Sequence, residues 1–407
     1  MFITTLVNTM VFPFMSIYFV ESFGGVITGF ILSGEILASI IASFYGGYLA
    51  DQLGRRKVML VAESIKVLAL FMICIANSSW LYSPMVTLIM MTISTIGGGI
   101  ATPAAAAMII DVSSSEERKV IYSIQYWVFN AAIGIGGLVG GFLFSDFKFV
   151  LFLIVALISL LSLIILFYLI TETYKPTEQD KVKRKQSSIG KAIMNYREVL
   201  KDSTFILFTF TSLLVVSIEL QAMNYTGVRI ASELKTPVPI FSLDEWSFKI
   251  DGIGLFGVMN TLNCVVVVMF GAILGKWIQK QNESIVLYGG ILIYAISLGM
   301  IAISDVPWVL LVLVIIAALS ELSFWPIVQA YLADLPPEKS RSSYMAVNSL
   351  VGRGGMMLGT FAITIGTFIP PWGMGILFVL TGMISMFLFS TFKNKLLSRR
   401  QSIRNAR

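Results

Sequence analysis

Apolar residues run along this chain in long blocks, and polar or charged residues gather in short breaks between them. The blocks cover positions 1–20, 26–50, 58–76, 82–110, 119–144, 148–170, 203–232, 250–275, 284–303, 306–333, 342–369 and 370–391. Each is near or above the ~20 residues that a helix needs to cross the hydrocarbon core of a bilayer. A segment in lipid must satisfy its backbone internally, and a barrel strand would be much shorter, so each block is predicted to be a helix. The pattern predicts an all-α membrane protein of twelve transmembrane helices in two six-helix, pseudo-symmetric bundles.

The breaks are not alike. Counted with the residues at their edges, those after the even-numbered blocks hold 23 Lys and Arg, and those after the odd-numbered blocks hold only Lys148, Lys235 and Lys249. Basic residues stay on the cytoplasmic side, so both termini are predicted to lie there, in a bacterial inner membrane. The alternation also supports an even number of spans. The longest polar stretch, Thr171 to Asp202, contains Lys181 to Lys185 and divides the blocks six and six. Residues 1–170 are predicted as one bundle, 171–202 as a cytoplasmic linker, 203–392 as the second bundle and 393–407 as a basic tail. Ser188 to Lys201 is predicted to form an amphipathic helix on the inner surface.

Composition agrees. Hydrophobic types make up 57% of the 407 residues and charged types 13%, about half the charged share of soluble domains. The net charge of +6 follows from topology and calls for no nucleic acid. Cys74 and Cys264 lie in apolar blocks, which predicts neither a disulfide framework nor a metal site. The chain has no histidine, so proton exchange inside the membrane falls to carboxylates. No nucleophile constellation, phosphate loop or cofactor motif points to an enzyme. Met1 to Val20 lacks a basic n-region and a cleavage pattern, and reads as the first span rather than a signal peptide.

The halves echo each other. Pro103, Asp111 and Arg118 recur at the same spacing as Pro326, Asp334 and Arg341, at the end of the fourth block of each half and the start of the fifth. Such a duplication fits two parallel bundles around a binding cavity. The four charged residues read as gating or loop-ordering groups at the inner surface.

The sharpest local signal is Gly47-Tyr-Leu-Ala-Asp51-Gln-Leu-Gly54-Arg55-Arg56-Lys57. Gly47 is expected to permit close helix approach, Asp51 to cap the next helix or meet an arginine, and Gly54 to make the turn. With this loop the chain resembles the major facilitator superfamily over its whole length, and the resemblance implies that the loop is a cytoplasmic latch. The matching place in the second half keeps Gly271 but has Gly275 where the aspartate would stand.

Closer similarity is to the LmrP-type multidrug/proton antiporters. It rests on AAMIIDVSSSEERKV, Tyr126-Trp127, Asn130, TETYKPT at Thr171 to Thr177, and SELSFWPIVQAYLADL from Ser320 to Leu335. A weaker similarity runs to the MdtH-type exporters. Within the LmrP-type group the glutamate matching Glu321 lies in the central cavity and is implicated in recognising cations and in proton coupling. That group has acidic residues at the place of Gln125, near Met223 and at the place of Gly382, and this sequence also departs from a pattern many antiporters carry, with Ser94 in place of an arginine and Gly137 in place of a proline. Glu35 and Glu219 are additional carboxylates.

A charged residue at mid-membrane costs at least ~2.5–3.5 kcal/mol on insertion scales, which makes Glu321, Glu219 and Glu35 candidates for proton coupling or substrate binding. Gln221, Asn224 and Tyr225 are expected to share a polar face with Glu219. Glu35 is expected to meet Lys66 or Arg353, Glu63 and Lys66 to pair one turn apart, and Arg229 to snorkel. Trp127 and Phe324, beside buried charge, are candidates for holding a cation over an aromatic face. The resulting expectation is a monomeric secondary transporter that exports small amphipathic or cationic compounds in exchange for protons. The alternative is a carrier for a specific nutrient, peptide or lipid, with Glu219 and Arg229 binding a zwitterion.

Overall fold

The architecture comes from a computed structural model that describes residues 2–173, 199–243, 246–278, 280–336 and 341–405. Along the chain come α1 (Phe2–Phe23), α2 (Gly25–Leu53), α3 (Arg55–Ile75), α4 (Pro84–Asp111), α5 (Ser115–Phe144) and α6 (Lys148–Leu169). Then follow α7 (Ser203–Glu233), strands β1 (Val238–Leu243) and β2 (Trp246–Ile250), α8 (Gly252–Ile278), α9 (Glu283–Ile301) and α10 (Pro307–Asp334). The chain ends in α11 (Arg341–Asn348), α12 (Leu350–Ile365) and α13 (Pro371–Asn405). Eleven of the helices are long and apolar enough to cross a membrane, and α12 is a shorter apolar helix. With α11 and α12 taken together, the twelve expected spans are all present.

Local chemistry places the ends. Gly54, at φ +95°, turns α2 into α3, a conformation that only glycine adopts freely. Ser83 caps α4 and Pro84 occupies its first position, where a missing N–H is harmless. Ser114 and Glu117 form a reciprocal capping box at the start of α5, and Asn282 caps α9.

Three features differ from the sequence expectation. The chain between α7 and α8 forms an antiparallel hairpin, β1 with β2, where only a break was predicted. The stretch 342–369 is interrupted at Ser349. The helix of the last span continues through the basic tail to Asn405, because Lys393 to Arg404 contains no glycine or proline to end it. The amphipathic helix expected at Ser188 to Lys201 lies almost wholly outside the described residues.

By packing, the chain divides into two compact units. Unit 1 joins Met1–Gln186 to Gly227–Cys264, and unit 2 joins Ser187–Thr226 to Val265–Arg407. In unit 1, Phe14 stacks on Phe144 at 5.4 Å and meets Phe256 edge-on at 5.9 Å. The Lys148 ammonium lies 5.6 Å from the ring centres of both Tyr18 and Phe144. In unit 2, Phe208, Phe389 and Phe392 form an aromatic core with Tyr331. Outward faces stay apolar: Phe44, Leu68 and Phe387 are each about two-thirds exposed or more, as side chains facing lipid tails would be.

Candidate functional site

Unit 2 brings two of the three candidate carboxylates together. Glu219 stands mid-way along α7 and Glu321 mid-way along α10, both partly buried. Between them is Tyr294 of α9, a residue that no pattern in the sequence singles out. Its hydroxyl donates a hydrogen bond to Glu219, and the charges of both carboxylates act on it. Glu219 and Glu321 also act on each other. A neutral donor and two acidic groups thus meet away from bulk water, where unscreened charge acts strongly.

Packing fixes this constellation. The Tyr294 ring meets Phe324 at 5.5 Å, and Phe324 is only 1% exposed. Phe324 follows Glu321 by three residues and therefore shares its face of α10. A Cβ on Gly290, one turn before Tyr294, would stand 2.5 Å from Ser323 Oγ and 3.2 Å from Phe324 Cβ. The missing side chain lets α9 approach α10 closely enough for the tyrosine to reach. Phe324 thus supports the tyrosine with its ring enclosed. Trp127, the other aromatic candidate, is half exposed on α5 of unit 1.

The polar neighbours expected around Glu219 are engaged elsewhere. Gln221 bonds Ser217 at 3.1 Å and Asn224 bonds the Leu220 carbonyl at 2.8 Å, both on their own helix. The Tyr225 ring packs against Phe378. Arg229 is buried and pairs with Glu233 one turn on, so it is not a snorkelling cation, and the zwitterion site with Glu219 has no support from this pairing.

Glu35, the third carboxylate, belongs to unit 1. It is 6% exposed on α2 and accepts a hydrogen bond from Thr92 of α4 at 2.9 Å. It does not pair with Lys66, whose ammonium instead bonds Glu63 at 2.9–3.1 Å. That local pair matches the sequence expectation.

The loop at Asp51 is organised differently from its predicted logic. The tight helix approach falls at Gly46, where a Cβ would collide with the Ile100 backbone, whereas one on Gly47 would meet nothing closer than Pro103 at 3.8 Å. The first amides of α3, on Arg55 and Arg56, are not capped by Asp51. They donate to the Glu172 carboxylate at 3.1 and 3.0 Å, which places an anion at a helix N-terminus. The Arg55 guanidinium pairs with Asp111 at the end of α4 and bonds the Ala107 carbonyl at 2.7 Å. Arg56 reaches the Phe167 carbonyl at 2.5 Å. Glu172 was visible only as part of TETYKPT, without a role of its own. Asp334 ends α10 as Asp111 ends α4, and Arg118 and Arg341 fall in the first turns of α5 and α11. The side chains of Arg118, Asp334 and Arg341 lie outside those described.

Unit 2 has a matching cluster of opposite sign. Glu283, the first residue of α9, accepts from the Tyr331 hydroxyl of α10 and pairs with Lys393 of α13 at 3.0 Å. Lys393 also bonds Ser284 Oγ at 2.7 Å.

Eleven helices long and apolar enough to cross a membrane define a multi-pass membrane protein. The sequence profile of the Major Facilitator Superfamily matches residues 1–360 and 235–404, and the chain belongs to that superfamily. It is 28% identical over 379 residues to a Na(+), Li(+), K(+)/H(+) antiporter of Planococcus maritimus, covering 92% of this chain and 88% of the relative. It is 22% identical over 350 residues to the multidrug resistance protein MdtH of Proteus mirabilis (strain HI4320), covering 84% and 78%. The fold is similar to a point mutant of the nucleoside transporter NupG, with a TM-score of 0.72, 13% identity and coverage of 96% of this chain and 97% of that one. It is also similar to a POT family transporter in complex with a thioalcohol-conjugated peptide, with a TM-score of 0.71, 14% identity and coverage of 97% and 95%.

Proposed function

We propose that the protein is a proton-coupled antiporter that exports cations by alternating access, with Glu219 and Glu321 as the shared site for proton and cation. The observation that carries this reading is the pairing of the two carboxylates about Tyr294 in unit 2. Their like charges repel, and either a proton or a cation between them relieves the repulsion. Proton and cation therefore compete for one site, which is what exchange requires. The two bundles, 1–170 and 203–392, supply the two halves that alternating access requires, with both termini in the cytoplasm as the basic breaks suggest.

The donor set is oxygen only, and Phe324 is enclosed, which favours a compact cation such as an alkali metal ion held by hard ligands. The Planococcus antiporter supports that choice. The second reading, an amphipathic organic cation, draws on the MdtH relatives and on the resemblance to LmrP-type antiporters.

Everted membrane vesicles with an imposed pH gradient separate the two. Na+, Li+ or K+ added outside is expected to dissipate the gradient in vesicles carrying the wild type and not in vesicles carrying Glu321→Gln. Dissipation by a lipophilic dye cation alone would select the organic substrate. Undiminished exchange in Glu321→Gln would remove the site from the mechanism.

A further inference from the structure

The pair in unit 2 leaves one candidate carboxylate unused. Glu35 sits eleven residues into α2, about 15 Å from the start of that helix and well inside a ~30 Å hydrocarbon core. Among the described residues it forms no ion pair, and its hydrogen-bond partner is Thr92. The charged groups on the helices packed against α2 are committed or distant. Glu21 lies near the end of α1. On α3, Glu63 and Lys66 bond each other, while Arg55 to Lys57 stand at the far end of α2 together with its own Asp51. Asp111 of α4 pairs with Arg55. Tyr45 and Tyr48, on α2 itself, are exposed.

The Thr92 hydroxyl has one proton and two acceptors, Glu35 Oε1 at 2.9 Å and the Leu88 carbonyl at 3.0 Å. When Glu35 is ionised, the hydroxyl donates to it. When Glu35 is protonated, its own O–H donates to Thr92 Oγ1, and Thr92 turns to Leu88. The contact between α2 and α4 is thus satisfied in both states, so a proton can be taken up and released without repacking the helices. One turn along α4, on the same face, Thr95 Oγ1 is buried with no hydrogen-bond partner among the described residues. Packing keeps the two helices together, since a Cβ on Gly99 would lie 2.7 Å from the Ser39 carbonyl oxygen. Glu63, by contrast, is held by a lysine and has no such freedom.

We infer that Glu35 with Thr92 is a second proton-carrying site, built in unit 1 with partners of its own, that adds a proton to each exchange cycle. In each cycle the Glu35 carboxylate binds a proton from one side of the membrane and the carboxylic acid releases it to the other, with no other bond made or broken. The inference rests on the antiport reading above.

Two measurements on the full-length protein test it. In detergent, pH-difference infrared spectra report buried carboxyl groups through the protonated C=O stretch. The variant with Glu219→Gln and Glu321→Gln is expected to retain one such band, and adding Glu35→Gln is expected to remove it. In proteoliposomes, Glu35→Gln is expected to keep exchange driven by a pH gradient with about one proton fewer per cation, and so to lose part of its response to membrane potential. The glutamine preserves a hydrogen-bonding group for Thr92. A band unaffected by Glu35→Gln, or an unchanged ratio of protons to cations, overturns the proposal. If Glu35→Gln abolishes exchange, the infrared band decides. Failure of the wild type to exchange cations for protons would instead overturn the function proposed above, and the infrared result would still stand for the site.

Discussion

At the scale of single residues, Tyr294 and Phe324 act on the carboxylate pair in separable ways. Tyr294→Phe removes the hydroxyl that serves Glu219 and leaves the ring on Phe324. A hydrogen bond to a charged group is worth about 1.5–3 kcal/mol, and 1.4 kcal/mol is a factor of ten. The half-saturating cation concentration is therefore expected to rise roughly tenfold in vesicle assays, with a smaller loss of thermal stability than in Phe324→Ala. Phe324→Ala leaves every polar group in place and opens a cavity under the tyrosine. A loss of about 3 kcal/mol is expected from such truncations, read as a lower melting temperature. A stability loss in Tyr294→Phe equal to that of Phe324→Ala would show that the hydroxyl is merely structural. Glu219 and Glu321 were legible in the sequence because ionisable residues in apolar blocks are conspicuous. Their common partner was not, because tyrosines are frequent in membrane helices and only the packing of α7, α9 and α10 selects Tyr294. The residues near Glu219 in sequence bond along their own helix instead, because nearness in sequence is not nearness in space. Residues two apart on a helix point to nearly opposite sides, so Gln221 cannot share the face of Glu219.

At the scale of elements, the boundaries of the spans were read well because a bilayer imposes both length and composition on them. What the pattern missed depends on contacts or on short polar segments. The β1–β2 hairpin lies in a break where hydropathy carries no information. The interruption at Ser349 is invisible to a composition window, since apolar residues continue on both sides. The tight packing of α2 on α4 is assigned to Gly46 only by the orientation of the helix, since Gly46 and Gly47 are equivalent as text. Gly46→Ala must displace the Ile100 backbone and is expected to lower stability by about 1–3 kcal/mol. Gly47→Ala, with ordinary clearance, is expected to stay within about 0.5 kcal/mol. Melting curves of the two variants in one detergent make the comparison. Start signals are more local, and the α5 capping box carries a pH dependence. The Ser114 amide and hydroxyl hold the Glu117 carboxyl below its ordinary value. A depressed folded-state value means that the contribution is complete above the unfolded value and is lost as pH falls through the folded one. The stability difference between wild type and Glu117→Gln is expected to be present at neutral pH and to vanish in acid.

At the scale of the whole molecule, the repeat of Pro103, Asp111 and Arg118 in Pro326, Asp334 and Arg341 put the two halves in register, and the helices bear this out: both prolines lie inside a helix and both aspartates end one. The charged clusters at the next level are related by position but inverted in sign. In unit 1 a cation opens α3 and meets anions from the end of α4 and from beyond α6. In unit 2 an anion opens α9 and meets a tyrosine from α10 and a cation from α13. Comparing the glycine-rich loop with its counterpart suggested only a lost aspartate, because Glu283 and Lys393 stand 110 residues apart and nothing in a linear pattern connects them. Inversion makes the pair exchangeable in principle. Lys393→Glu sets two anions together at the start of α9 and also loses the bond to Ser284, whereas adding Glu283→Lys restores opposite charges. Both partners are partly exposed, at 23% and 51%, so the pair is worth about 0–1 kcal/mol, and low ionic strength will bring out the effect. The single variant is expected to melt below the wild type in low salt, the double variant to recover most of the difference, and both gaps to narrow at high salt. If the double variant melts no higher than the single, the contacts with Tyr331 and Ser284, which depend on geometry rather than sign, hold this end of unit 2 together.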